Sequence, residues 1–134
     1  MVIDTSALLA SHERGVQDKL ERLHARSIML APALLAYEVA HVVHAKRPDA
    51  FGSSADERAD LVATLLLGIE LVEPTPESTR AAGALAEELK LSVYDASFLG
   101  LAASRKASLL TEDQALARAA TAKLGKTRVI RASR

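Results

Sequence analysis

The sequence predicts an α/β fold, a parallel sheet covered by helices on both faces. Short apolar runs recur along the chain, and each is separated from the next by a whole helical pattern, as in strand–helix–strand units. Size agrees with this. With 134 residues, 49% of them apolar and 25% charged, the chain is expected to be a single domain over residues 1–134. Such a domain removes roughly two thirds of its unfolded surface from water and needs neither metal nor disulfide to fold.

Val2 and Ile3 form a strand stub ended by Asp4, Thr5 and Ser6. Val16, Leu20 and Leu23 recur at i, i+4 and i+7 and leave Asp18, Lys19, Glu21 and Arg22 on the other face, which predicts a helix. Residues 27–31 (SIMLA) read as a strand closed by Pro32, and residues 33–46 as a helix stopped by Pro48. Ser54 with Glu57 three residues on is a capping box, opening a helix that runs through Leu67 and Gly68. Residues 69–72 are the next strand. Thr75, Pro76 and Glu77 supply an N-cap and a first-turn proline for a helix to about Lys90. Residues 94–106 read as a helix and 108–111 (SLLT) as a strand. Thr111 and Gln114 then make a second capping box for a helix ending near Gly125, and residues 128–130 are the last strand.

Composition removes several classes of chemistry. The absence of Cys excludes a disulfide scaffold, a thiolate zinc site, an iron–sulfur centre and a cysteine nucleophile. Two Tyr, two Phe and no Trp argue against base recognition by aromatic stacking. The longest apolar run, residues 65–69, is broken by Gly68 and falls far short of the ~18 residues of a membrane span. The opening MVID has no basic n-region, so a retained cytoplasmic chain without membrane association is expected. Formal net charge is zero, yet residues 1–104 hold 15 acids against 9 bases and residues 105–134 hold 8 bases against 2 acids. That basic end reads either as a phosphate-binding face or as a solvated surface.

In open parallel sheets, sites gather beyond the carboxyl ends of the strands. Asp4 follows the first strand directly and Asp113 lies two residues beyond SLLT, so both project at one edge of the sheet. Glu38 shares a helical face with Leu34, Val42 and Ala45, and Asp95 with Phe98, Leu99 and Ala102. Carboxylates on apolar faces are costly unless paired, hydrogen-bonded or neutralised. Each has a local alternative: Asp4 as an N-cap, Asp95 and Asp113 as first-turn acids, Glu38 at a rim or in a salt bridge. Together they are the inventory for holding hard divalent cations through oxygen.

The acids lie in four segments: MVIDTSALLA, a strand with its acid and small hydroxyl residue; APALLAYEVAHVV, a helix with a glutamate; LSVYDASFLGLA, a helix with a third acid; and LLTEDQALARAA, a T-x-D segment with the fourth. In that order and spacing, over nearly the whole chain, they resemble the PIN-domain ribonucleases, and within them the VapC-like toxins of type II toxin–antitoxin pairs. The resemblance implies a PIN-like three-layer α/β/α sandwich. It implies that Asp4, Glu38, Asp95 and Asp113 are the catalytic acids and bind one or two Mg²⁺ or Mn²⁺ ions, with Thr111 and Ser6 orienting them by hydrogen bonds. It further implies an endoribonuclease that inhibits translation by cutting structured RNA (tRNA or rRNA) to a 5′-phosphate and a 3′-hydroxyl. The implied partners are a second copy of the chain, as a homodimer, and a VapB-like antitoxin lying across the groove. His41 departs from the Asn that many relatives carry three residues after the glutamate, which leaves that contact open.

Attack on a phosphodiester needs an activated water, a neutralised phosphate and a stabilised leaving oxygen, all within the means of carboxylate-held divalent ions. Without a cation, four carboxylates repel an RNA backbone. The basic end then reads as a phosphate-tracking rim built from Arg105, Lys106, Arg118, Lys123, Lys126 and Arg128. The apolar stretches 34–43 and 61–67 read as partner surfaces or as core. A receiver domain would show an acidic pair after the first strand and a late lysine, and a haloacid-dehalogenase-type phosphatase would show Asp-x-Asp where this chain has Asp4-Thr5-Ser6. Glu38-x-x-His41 and Glu21-x-x-His24 are similar to di-iron bundle motifs, but alternating strands and helices argue against such a bundle, and retained iron is the test. The alternative is a non-cleaving PIN-like module that binds RNA or protein.

Overall fold

The computed structural model describes residues 1–12 and 17–131. Among these residues, five strands, β1 (Val2–Ile3), β2 (Met29–Pro32), β3 (Ile69–Val72), β4 (Leu109–Leu110) and β5 (Val129–Ile130), pair in the order β3-β2-β1-β4-β5. Every pair is parallel, with Val2 opposite both Leu30 and Leu109. Strands covered on both faces need apolar residues at successive positions, and Val2, Ile3, Leu30, Ala31, Leu109 and Leu110 are all buried. Edge strand β3 instead exposes Glu70, a charge that discourages pairing with another chain.

Seven α-helices among the described residues connect the strands: α1 (Thr5–Ala10), α2 (Gln17–His24), α3 (Leu35–His41), α4 (Ala55–Leu66), α5 (Pro76–Leu89), α6 (Val93–Ser104) and α7 (Gln114–Leu124). Right-handed crossovers put α1 to α4 on one face of the sheet and α5 to α7 on the other. The packing agrees, with α1 on α3, α3 on α4, and α6 against α5, α7 and the sheet. This is the three-layer α/β/α arrangement the sequence predicts. Phe98, Leu99 and Ala102 of α6 and Leu35, Val39 and Val43 from the α3 side fill the two core layers. Among the described residues, no helix is long and apolar enough to cross a membrane.

Several expectations are corrected. Val16 lies outside the described residues. The helix expected over 33–46 is α-helical only to His41; Val42–Lys46 is a π turn in which the Arg47 N–H reaches the Val42 carbonyl at 3.0 Å. As a result Ala45 is exposed, and the face that Glu38 occupies continues at Lys46. The Glu57 carboxylate turns to the Ser53 N–H and hydroxyl, both 2.8 Å away, and leaves the Ser54 N–H out of the box; the Ser54 hydroxyl still caps α4. Asp113 caps α7, its Oδ1 accepting the Leu116 N–H at 2.8 Å, because the Thr111 hydroxyl is already engaged elsewhere. Thr75 and Ser78 make a full reciprocal box at α5.

Gly68, which follows α4, adopts φ +78°, a conformation glycine takes without strain, and any Cβ there would run into the His24 ring. Gly68→Ala is therefore expected to cost about 1–3 kcal/mol in urea unfolding, and part of that loss should return in a His24→Ala background. An unchanged unfolding midpoint would show that this contact is not made.

Candidate functional site

The site is built outward from Asp4, which ends β1. Only 5% exposed, this carboxylate accepts the Ala7 N–H at 2.9 Å and the Ser6 hydroxyl at 2.7 Å on Oδ1, and the Thr111 hydroxyl on Oδ2. The side chain at the centre of this hydrogen-bond network is thus also the N-cap of α1. Ser6 and Thr111 also face the chain beyond β4: Ser6 Oγ accepts the Glu112 N–H at 2.9 Å and Thr111 Oγ1 the Asp113 N–H at 3.0 Å. Two loops from neighbouring strands are pinned to one buried carboxylate.

Three more acids face the same cleft, a cavity of about 610 Å³ at the carboxyl ends of β1 and β4, where the strand order reverses direction. Glu38 on α3 accepts the Thr5 hydroxyl at 3.0 Å. Asp95 sits in the first turn of α6 because the Ser92 hydroxyl caps its N–H at 3.0 Å. Asp113 stands at the N-cap of α7.

Burial pushes the Asp4 carboxyl above the ordinary carboxylate range, against its hydrogen bonds from Thr111, Ala7 and Ser6, and the charge of Asp113 adds to the rise. Glu38 is raised by burial, opposed by the Thr5 hydrogen bond and reinforced by the charges of Asp95 and Asp4; Lys46 opposes the rise only weakly. Asp95 is raised by burial and by Asp113. Among the described residues, none of the four forms an ion pair with Lys or Arg. Also among the described residues, no three His, Asp or Glu side chains are arranged to hold a metal ion where they stand. The donor chemistry nevertheless fits a hard divalent cation: several oxygen ligands, mutually repelling and lacking cationic partners.

The six basic residues of the C-terminal end do not gather here. Arg105 and Lys106 precede β4, and Lys123, Lys126 and Arg128 precede β5, so all five lie toward the amino edge of the sheet, away from the cleft. Arg128 donates to the Ala102 and Ala107 carbonyls at 3.2 and 2.8 Å, and Lys123 pairs with Glu88 at 3.2 Å. Arg118 is exposed partway along α7. The cleft is bordered instead by His41, Lys46, Arg47 and a fifth acid, Glu112, whose carboxylate lies 3.9 Å from the Arg131 guanidinium. Glu112 was signalled by its place between Thr111 and Asp113. Lys46 carried no such signal, because α-helical spacing assigns that face to Ala45.

Fold and cleft together define an α/β protein with an acidic centre at the carboxyl edge of a parallel sheet. The PIN-domain model matches residues 1–122, and the chain belongs to the PIN-domain family. PIN domains are generally nucleases that use divalent metal ions. None of the curated proteins matches the chain. Among solved structures, PAE2754 from Pyrobaculum aerophilum superposes with a TM-score of 0.75 over 98% of this chain and 83% of that one, at 20% identity, a likeness of fold.

Carboxylates raised in the folded state bind protons more tightly there than in the unfolded chain, so stability falls as pH rises through the folded value and returns as pH falls back through it. Without divalent ions, the protein is expected to melt higher at about pH 5.5 than at about pH 7. Asp95→Asn should raise the neutral-pH midpoint by about 2–5 °C, and calorimetry in chelator reads both effects. A lower midpoint for Asp95→Asn would contradict the assigned repulsion.

Proposed function

We propose that the chain is a metal-dependent endoribonuclease that hydrolyses phosphodiester bonds in structured RNA, tRNA or rRNA, and inhibits translation as the toxin of a type II toxin–antitoxin pair. The observation that carries the nuclease reading is the convergence of Asp4, Glu38, Asp95 and Asp113 on one cleft without an ion-paired cation among the described residues. The toxin role is supported by the resemblance of the four acid-bearing segments to VapC-like sequences.

These four carboxylates would hold Mg²⁺ or Mn²⁺. When bound, such an ion lowers the pKa of water and polarises the phosphate. The chain's own residues set the stage. Ser6, Thr111 and the Ala7 N–H fix the orientation of Asp4, and Thr5 fixes Glu38. Until their charge is neutralised, the acids keep an RNA backbone out of the cleft.

The partner proposals rest on a second surface. Both tyrosines of this aromatic-poor chain are exposed, Tyr37 by 83% and Tyr94 by 64%. Tyr94, Val93 and Leu34 line a largely apolar groove of about 580 Å³, and Tyr37 lies one helical turn beyond Leu34. Tyrosine with apolar neighbours is the composition of an interface centre, and we assign this face to the homodimer. Within the apolar stretch 34–43, Leu35, Val39 and Val43 are core; Leu67, at the end of the stretch 61–67, is 74% exposed. A VapB-like antitoxin would lie across the acidic cleft, where cationic side chains meet the carboxylates.

Asp4→Asn and Asp95→Asn proteins, folded by circular dichroism, are expected to cleave RNA at least about 10²-fold more slowly in Mg²⁺, and chelation should abolish the parental activity. Cleavage at the parental rate would remove the assignment. Mapping of RNA 5′ ends in cells after brief induction, compared with Asp4→Asn, reads the substrate and the toxin role. Tyr94→Arg is expected to turn a dimer into a monomer in light scattering, and a monomeric parent would overturn the interface.

A further inference from the structure

Two cations stand at the mouth of the acidic cleft, and a change of helical pitch puts them there. Beyond Glu38, seven residues of α-helix make about two turns, so an unbroken helix would lay Ala45 over the glutamate and swing Lys46 roughly 80° aside. The π turn over Val42–Lys46, closed by the Arg47 N–H on the Val42 carbonyl, widens the winding. Lys46 thereby lines the cleft, near enough for its charge to act on Glu38, while Ala45 is exposed and does not line it. Arg47 ends the turn at φ −138°, ψ 55° and also lines the cleft. Its guanidinium lies 5.2 Å from the centroid of the Phe51 ring, which is buried and in turn packs against His12 at 5.8 Å. That stack orders a long side chain and leaves its edge donors unused. Among the described residues, neither Lys46 nor Arg47 makes a side-chain hydrogen bond or an ion pair. Cations that line an acidic cleft without pairing to its acids are available to a second anion.

We propose that Lys46 and Arg47 anchor two backbone phosphates of the RNA beside the bond to be cut, Lys46 as a mobile point charge and Arg47 as an oriented fork. This rests on the phosphodiester reading of the acidic cleft. It differs from the C-terminal rim expected from linear charge, most of which lies toward the other edge of the sheet. Position matters here as much as charge, because residue 46 lines the cleft and its neighbour at 45 does not.

The test measures binding of a fluorescein-labelled RNA hairpin, with a single-stranded loop of about a dozen nucleotides, by anisotropy over a salt series with Ca²⁺ present, and cleavage of the same RNA in Mg²⁺ or Mn²⁺. Lys46→Ala/Arg47→Ala is expected to raise Kd about tenfold and to flatten the dependence of log Kd on log salt by about 1.4, the share of two phosphates on a single strand. KM should rise with it while kcat stays within about threefold. Ala45→Lys/Lys46→Ala keeps the parental net charge and should bind as weakly as Lys46→Ala alone. Parental Kd and salt slope in the double variant, at a parental thermal midpoint, would overturn the proposal, as would full recovery by the shifted lysine. If Arg47→Ala fails to fold for want of its Phe51 contact, Lys46→Ala and the shifted lysine decide alone, since both positions are exposed. RNA that is bound through these residues but never cut removes the nuclease reading and leaves the anchor. RNA that is cut with unchanged KM in the variants removes the anchor and leaves the nuclease. A parental protein that neither binds nor cuts removes both.

Discussion

A carboxylate buried at the end of the central strand governs the architecture around it. Left bare, a charge 5% exposed would disfavour the fold by several kcal/mol. Asp4 is acceptable there because Ser6, Ala7 and Thr111 donate to it. The donors in turn set the path of the chain. The Ala7 N–H belongs to the first turn of α1, so the helix starts where the carboxylate stands. Ser6 and Thr111 accept the N–H groups of Glu112 and Asp113, so the chain leaving β4 is stitched to the chain leaving β1. With the Thr111 hydroxyl committed to this network, the cap of α7 falls to Asp113, and that choice brings a second acid to the cleft.

The same network relieves only part of the electrostatic tension of the site. Hydrogen bonds lower the proton affinity of Asp4 and Glu38, yet burial and neighbouring charge outweigh them at both. A fold held by apolar layers on both sides of the sheet can carry such a locally unfavourable cluster because the core supplies stability elsewhere. Divalent ions that bind only the folded protein would turn the tension into linkage, raising stability with ion concentration.

Much of this was legible in the linear order of residues. Parallel strands bury both faces, so Val2-Ile3, SIMLA and SLLT stand out as uninterrupted apolar runs, and the acids stand out because they follow such runs or break apolar helical faces. Two kinds of feature were not legible. The charge count placed a basic patch at the C-terminal end, but residues that precede a strand fold to the opposite edge from residues that follow one, so Arg105, Lys106 and Lys126 lie far from Asp4 and Asp113. Helical periodicity assumed constant pitch, and the π turn rotated Lys46 into the place reserved for Ala45. The capping box read at Thr111 failed for a related reason: Asp113 offers a competing acceptor two residues on, and only the tertiary contact with Asp4 decides between them.

The π turn also gives this domain a place where chain length can vary. Leu35, Val39 and Val43 fasten the helix to the core, and Phe51 fastens the chain again beyond it. A widened turn holds one residue more than the α-helix it replaces. Losing that residue would restore regular winding without disturbing the layers beneath, yet it would rotate everything between the two fastenings around the mouth of the cleft. A single-codon deletion here is thus a different kind of change from any substitution: it leaves every acid in place and re-aims the surface that an incoming polymer meets first.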